Sequence, residues 1–236
     1  MRFLPISKKD QARQATPGVK RLSLDGKATV KLGAFARGGQ TRGDYKARDP
    51  DFGSTEPYIP CGILDQETAQ LHVTFGSSAK PSAFIVDTLT AGWQGLSPQE
   101  QHAIERVQLK MDNGPESRGV RTQLLQRMVH LVDTLGKPIQ VLYSPPSHSK
   151  YNPSERCWGI LALPGNGPQR QDAHTMLEGA KSMTWQGLKP LVALSRKAYA
   201  KGGTRSKSAR PAVEARLERN PLLPTWDILI SPVGAT

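Results

Sequence analysis

Val107-Gln108-Leu109-Lys110-Met111-Asp112-Asn113-Gly114-Pro115 reads as a strand that ends on an acid. Apolar and polar residues alternate from Val107 to Met111, the period of a half-buried strand. Asp112-Asn113-Gly114-Pro115 then supplies tight-turn residues that stop it. On both sides the pattern becomes helical. Upstream, Ser97-Pro98-Gln99-Glu100 combines a cap, a first-turn proline and an acid. Downstream, Thr122 to Leu135 is strongly amphipathic, with Leu124, Leu125, Met128, Val129, Leu131 and Val132 inward and Gly136 as its stop. Ile139 to Tyr143 reads as another strand, followed by the loop Ser144 to Tyr151. Asn152-Pro153-Ser154-Glu155 opens a helix that ends near Pro164.

Farther out, Arg21 to Gly33 alternates around Asp25-Gly26 and reads as two adjoining strands. Ala34 to Gly53 is a basic, glycine-rich loop. Tyr58 to Leu64 and Leu71 to Phe75 read as short strands. Ser82 to Leu96 has Phe84, Ile85, Leu89 and Trp93 at helical spacing, with Ser82 as a cap. Strands thus meander first and then alternate with helices, an α/β layout. Beyond Pro164 the spacing predicts helices near Ala173 to Met183 and near Leu188 to Tyr199. A basic low-complexity stretch, Lys201 to Arg210, and an extended end, Trp226 to Ile230, complete the chain, and no internal repeat is visible.

A chain of 236 residues buries a core without staples. Its 22 glycines and 19 prolines exclude a plain helical bundle. Lys and Arg number 32 against 20 Asp and Glu, a net charge of +12. That charge draws polyanions, nucleic acid before an anionic membrane. No apolar run approaches the roughly 20 residues that span a bilayer. The start, MRFLPISKKDQARQ, lacks the apolar stretch of a signal peptide. The two cysteines, Cys61 and Cys157, fit neither a zinc spacing nor a disulfide framework. The expectation is a reduced, cytoplasmic protein that meets phosphates and no membrane.

Chemistry on phosphates needs a metal, and Mg²⁺ takes carboxylate oxygens. Three acids sit at strand ends or helix starts. Asp25 lies on the first strand, Asp112 ends the strand quoted above, and Glu155 opens a helix. Each has a bland reading. Asp25-Gly26 is a common hairpin turn. Asp112-Asn113-Gly114-Pro115 is equally a plain turn. Glu155 follows a plausible Asn152 cap at the place a capping box uses glutamate. Asp49 and Asp51 are rivals for the first acid, but a loop holds a ligand less rigidly than a strand. Asp87 reads as a helix-surface residue. The order of the three acids and the elements they sit on have the layout of an RNase H-like polynucleotidyl transferase.

The phrases around these acids carry a resemblance. Met111-Asp112-Asn113-Gly114-Pro115-Glu116-Ser117 and the run Pro145-Pro146-Ser147-His148-Ser149-Lys150-Tyr151-Asn152-Pro153-Ser154-Glu155-Arg156-Cys157-Trp158-Gly159 resemble DDE transposases of bacterial insertion sequences, in particular the Rhodopirellula-type family. Leu24 to Gly33, Arg37-Gly38-Gly39, Phe84 to Asp87 and Leu223 to Asp227 are similar to further segments of that family. The resemblance implies an RNase H-like fold, a mixed five-stranded sheet flanked by helices with a basic C-terminal extension. It divides the chain into a basic arm over 1–19, a catalytic core over 20–165 and a helical and extended segment of the same domain over 166–236.

The resemblance also implies that Asp25, Asp112 and Glu155 hold two Mg²⁺ or Mn²⁺ ions for strand cleavage and strand transfer. The implied partners are the DNA of transposon ends and target, with a homo-oligomer assembled on it. Asn113 shapes the turn after the second acid. His148 and Lys150 are candidates for phosphate contact, His148 equally for a loop-ordering hydrogen bond. Arg156 reads as a DNA contact or as the partner of a surface acid. Trp158 reads as core. Arg37, Arg42, Lys46 and Arg48 form one phosphate-binding cluster. Arg196, Lys197, Lys201, Arg205, Lys207, Arg210, Arg216 and Arg219 form another, or else a solvated tail. Members of the family carry helix-turn-helix sequence before the catalytic part, and only the segment before Lys20 precedes it here. The chain therefore reads as the catalytic half alone. The competing readings are an inert DNA-binding remnant and a basic structural protein, and the latter needs no converging acids.

Overall fold

A computed structural model describes residues 16–26, 30–31, 57–76, 82–112, 122–144, 153–162, 173–199 and 210–234. Among the described residues the first elements are the strands β1 (Val19–Gly26), β2 (Val30–Lys31), β3 (Pro57–Asp65) and β4 (Leu71–Gly76). Helices α1 (Ser82–Gln94) and α2 (Pro98–Ala103) lead to β5 (Arg106–Asp112). Then come α3 (Thr122–Leu135), β6 (Ile139–Ser144), α4 (Pro153–Ala162) and α5 (Ala173–Ser182). The end is built from β7 (Leu191–Ser195), α6 (Arg210–Glu214), β8 (Leu217–Arg219) and β9 (Asp227–Ile230).

Among the described residues the strands form one nine-stranded sheet in the order β7-β4-β3-β1-β5-β6-β9-β8, with β2 beside β3. β1 lies at its centre, antiparallel to β3 and parallel to β5. β5 and β6 are parallel, and β9 returns antiparallel to β6. The carboxyl ends of β1, β5 and β6 therefore share one edge of the molecule.

Alternation along the strands splits the side chains between two faces. Leu24, Cys61, Ile63, Leu109, Met111 and Val141 face α1 and α3, where Phe84, Ile85, Leu124 and Met128 complete a core. Each of those large side chains is fully buried, worth about 1.5–3 kcal/mol relative to exposure. On the opposite face Tyr58, Leu64, Leu71, Val73 and Phe75 pack with Cys157, Trp158, Met176 and Ala180 of α4 and α5. Helices thus cover both faces of a mixed sheet.

Local signals formed the expected starts and stops. Ser97 caps α2 in a complete capping box with Glu100. Gly136, at φ +62°, ends α3 in the left-handed conformation that glycine tolerates. Asp87, expected on a helix surface, is half-exposed on α1 and accepts hydrogen bonds from Lys197 (2.6 Å) and the Tyr199 hydroxyl (2.8 Å).

Three expectations are corrected. Among the described residues the sheet holds nine strands instead of five: β7, β8 and β9, all after residue 185, extend it on both sides, and the short β2 pairs with β3. The stretch read as a helix from Leu188 to Tyr199 is strand β7, paired in parallel with β4 from His72↔Leu191 to Gly76↔Ser195. It follows a tight reversal in which Gln186 and Gly187 both adopt positive φ and Trp185 bridges Leu188. Asp25-Gly26 is no hairpin turn: β1 runs through both residues, and β2 pairs with β3. The basic arm up to residue 15, the loop from Ala34 to Gly53 with its arginines and with Asp49 and Asp51, and Lys201, Arg205 and Lys207 lie outside the described residues.

Candidate active site

The acid on β1 and the acid on β5 are set side by side by strand register. The parallel ladder pairs Leu22 with Leu109, Ser23 with Lys110 and Leu24 with Met111. Asp25 and Asp112 are the next residues on each strand. Neighbouring strands lie ≈4.8 Å apart, and residues level across a ladder share a face. Leu24 and Met111 point into the core against α1 and α3. Asp25 and Asp112 consequently occupy the opposite face, the one that carries α4. Asp25 is buried, only 6% exposed, and Asp112 is half-buried.

The placement of α4 follows from two close contacts. Ser23, two residues before Asp25 on the same face, is fully buried. Its hydroxyl lies 3.2 Å from the Ser154 hydroxyl and accepts the Ser154 backbone N–H at 3.4 Å. One helical turn on, Trp158 packs on Gly62, the residue of β3 level with Asp25. A Cβ on Gly62 would lie 2.8 Å from Trp158 Cζ2, so glycine is what lets the indole approach. Ser154 and Trp158 are four residues apart and share one face of α4. Together they anchor its first turns over the strand that carries Asp25. Glu155 follows Ser154, so its backbone lies within that first turn, and its side chain is outside the described features.

The surroundings are cationic. Lys110 stands two residues before Asp112 on the same face, half-buried. Burial, and next the charge of Arg21, push its ammonium below its ordinary pKa. Arg21 itself is held by Glu67 at 2.6 Å. Arg156 is exposed on α4. Cys157, with its thiol toward the Pro153 carbonyl at 3.8 Å, is pushed up to about 12 by burial, which leaves it a packing residue instead of a nucleophile. Trp158 is 6% exposed in the second core, the place expected for it.

Hard carboxylate oxygens on rigid strand ends suit Mg²⁺ or Mn²⁺, and two acids one strand apart favour a bound cation over mutual repulsion. Among the described residues no group of three His, Cys, Asp or Glu converges, and the third acid is the one whose side chain is undescribed. Asn113, His148, Lys150, Arg37 and Arg42 lie outside the described residues. Sequence reading missed Ser23, Gly62, Lys110 and Ser154. Alternation alone puts Ser23 on the face of Asp25, but only the fold brings Ser154 and Trp158 to it.

A family model described as Rhodopirellula transposase DDE domain matches residues 1–232. Among solved structures, one similar chain comes from a cryo-EM structure of the simian T-cell lymphotropic virus intasome in complex with PP2A regulatory subunit B56 gamma. It is 10% identical over 73% of this chain and 51% of that one, with a TM-score of 0.43, so this chain spans about half the length of that relative. No curated protein matches the chain.

Proposed function

We propose, from the premise that the chain belongs to the Rhodopirellula transposase DDE-domain family, that it cleaves and joins DNA strands at the ends of a mobile element. The observation that carries the reading is the register that sets Asp25 beside Asp112, with the first turn of α4 anchored above them. The strand order β4-β3-β1-β5-β6, three antiparallel strands followed by two parallel ones, supports an RNase H-like core. Asp25, Asp112 and Glu155 would hold two Mg²⁺ or Mn²⁺ ions. Bound there, the ions supply activation of a water or DNA 3′-hydroxyl and stabilisation of the leaving 3′-oxygen.

The protein's own contribution is positioning. Strand hydrogen bonds fix the two aspartates, and the Ser23–Ser154 and Gly62–Trp158 contacts fix the helix that brings Glu155. Lys110 adds a positive charge on the same face, which favours an incoming phosphate. DNA binding through Arg37, Arg42, His148, Lys150, Asn113 and Arg156, and assembly as a homo-oligomer on DNA, belong to the same proposal. The net charge of +12 supports a polyanionic partner.

The test is nicking of supercoiled plasmid and strand transfer with Mg²⁺ or Mn²⁺, with wild type against Asp25→Asn, Asp112→Asn and Glu155→Gln. Loss of about 10³-fold or more in each variant is expected. Unchanged nicking in Asp112→Asn and Glu155→Gln overturns the assignment. Salt-sensitive DNA binding with no metal-dependent nicking by wild type establishes the inert remnant instead.

A further inference from the structure

Five large hydrophobic side chains are exposed among the described residues: Leu188, Leu191, Leu222, Leu223 and Val233. Leu188 and Leu191 lie at the start of β7 and Val233 beyond the end of β9, all at the sheet edge opposite the acids. Leu222 (88% exposed) and Leu223 (50%) lie together in the loop between β8 and β9. Because β9 runs antiparallel to β6, that loop projects at the same edge as Asp25 and Asp112.

The loop is not loose chain. Asn220 N–H donates to the Asp227 carbonyl (3.1 Å) and closes its base. Leu222 N–H donates to Asn220 Oδ1 (3.0 Å), and Leu223 N–H to the Asn220 carbonyl (3.0 Å). Arg219 donates to the Pro224 carbonyl (2.8 Å). Pro221 and Pro224 restrict φ on either side of the leucines. At the base, Tyr143 N–H donates to the Trp226 carbonyl (2.8 Å), and Trp226 packs against the main core. The leucines are held out in water by a braced scaffold.

We infer that Leu222, supported by Leu223, is a wedge that enters the base stack of DNA bound at the acids. This rests on the DNA strand-transfer reading above. Apolar wedges of leucine and proline part base steps in DNA-bending proteins. The position fits. Asp112 pairs with Ser144 on β6, and Tyr143, one residue earlier, bonds Trp226. Two strand spacings place the base of the loop about 10 Å from Asp112. At about 3.4 Å per step, the wedge reaches base steps roughly three to five from the phosphate at the acids. A second copy of the chain fits less well. Two leucines expose on the order of a few hundred Å², against the about 800 Å² per partner of a standard interface.

The test uses the full chain and a 20-base-pair mixed-sequence duplex with 2-aminopurine at every third position of one strand. Emission reports unstacking, and anisotropy of the same duplex reports binding. Wild type and Leu222→Phe are expected to raise emission at least twofold. Leu222→Ala is expected to lose most of that rise while its affinity stays within about threefold, because phosphate contacts dominate affinity. A full rise in Leu222→Ala, or no rise in wild type at saturation, overturns the wedge. So does sedimentation of wild type as a dimer that Leu222→Ala converts to monomer, since the leucines are then a protein contact. Plasmid nicking by wild type in Mn²⁺ is read in parallel. Nicking without an emission rise sinks the wedge and spares the enzymatic reading, and absence of nicking sinks that reading while emission still decides the wedge.

Discussion

Asp25 and Asp65 are equally buried, 6% and 7% exposed, on adjacent strands, yet different residues stand beside them. Asp65 has a cation beside it. It accepts from Lys20 Nζ, from Glu67 N–H at 2.9 Å and from Thr68 N–H at 3.3 Å. Burial works to raise its pKa, and these partners outweigh burial and hold the carboxyl below its ordinary value. Asp25 has a second acid, Asp112, level with it on the next strand. An aspartate with its own ammonium serves the fold. Two aspartates level with each other repel, and a cation between them relieves that repulsion. The two ends of the sheet differ in the same way. The Asp65 end closes over a cavity of about 60 Å³ lined by Leu22, Leu89, Trp93, Val107 and Leu131, with Lys20, Asp65 and His72 among its walls. The Asp25 end gathers acids, the anchored helix and the exposed leucine loop.

The sharpest way to break this contrast is to neutralise each aspartate. Asp25→Asn is expected to abolish nicking, by about 10³-fold or more, because it removes one carboxylate of the proposed metal site. Asp65→Asn is expected to do the reverse. It strands a half-buried ammonium, costs about 2 kcal/mol, and lowers Tm by roughly 4–8 °C. Its nicking per folded molecule stays near wild type. Thermal melts and plasmid nicking on the same preparations decide it, and a destabilised Asp25→Asn with intact nicking would sink the distinction.

Two glycines extend the comparison with a smaller effect. Gly62→Ala drives a methyl into Trp158 and moves α4 from the acid edge. It is expected to cost about 1–3 kcal/mol of overpacking and to reduce nicking at least tenfold in protein that remains folded. Gly136→Ala has no atom within 4 Å but keeps φ at +62°, so it costs about 1 kcal/mol of backbone strain and leaves nicking unchanged. Equal activities in the two variants, by kinetics below both melting temperatures, would show that the position of α4 is irrelevant to the chemistry.

What the sequence made legible follows from how local each signal is. The strand ending on Asp112, the capping box at Ser97 and the amphipathic α3 are written within a few consecutive residues, and all three formed. β7 was not legible as a strand. Leu188, Leu191, Val192 and Leu194 satisfy helical spacing too, and pairing with β4 overrode it. α6 and β8 are too short to show a period. Asp25-Gly26 carries a strong hairpin signal, but the ladders to β3 and β5 extend the strand through it. The acids at the site were visible as residues and as words of a family motif. The support beneath them was not, because Ser23 with Ser154 and Gly62 with Trp158 are contacts that only the folded sheet creates.

Acid titration probes the contrast most gently. A carboxyl whose folded pKa is depressed contributes stability that is present above its unfolded value and lost as pH falls through the folded one. For Asp65 that window opens near the unfolded value of about 3.9 and extends below it. His72, beside the same ion pair, is shifted the other way round in charge. Burial chiefly lowers its pKa, so the fold takes up this proton at lower pH than the unfolded chain, which takes it up from about pH 6.5 downward. Stability is therefore expected to decline in two stages, a shallow one below about pH 6.5 that His72→Gln removes and a later one below about pH 4 that Asp65→Asn removes. Both stages come from groups on the face of the sheet opposite the acids, so Asp25→Asn should leave both in place. Melting temperatures from pH 7.5 to 3 for the four proteins read this out. If Asp25→Asn flattened the lower stage as fully as Asp65→Asn, Asp25 would be serving the fold as Asp65 does, and the assignment of the two aspartates to separate tasks would fail.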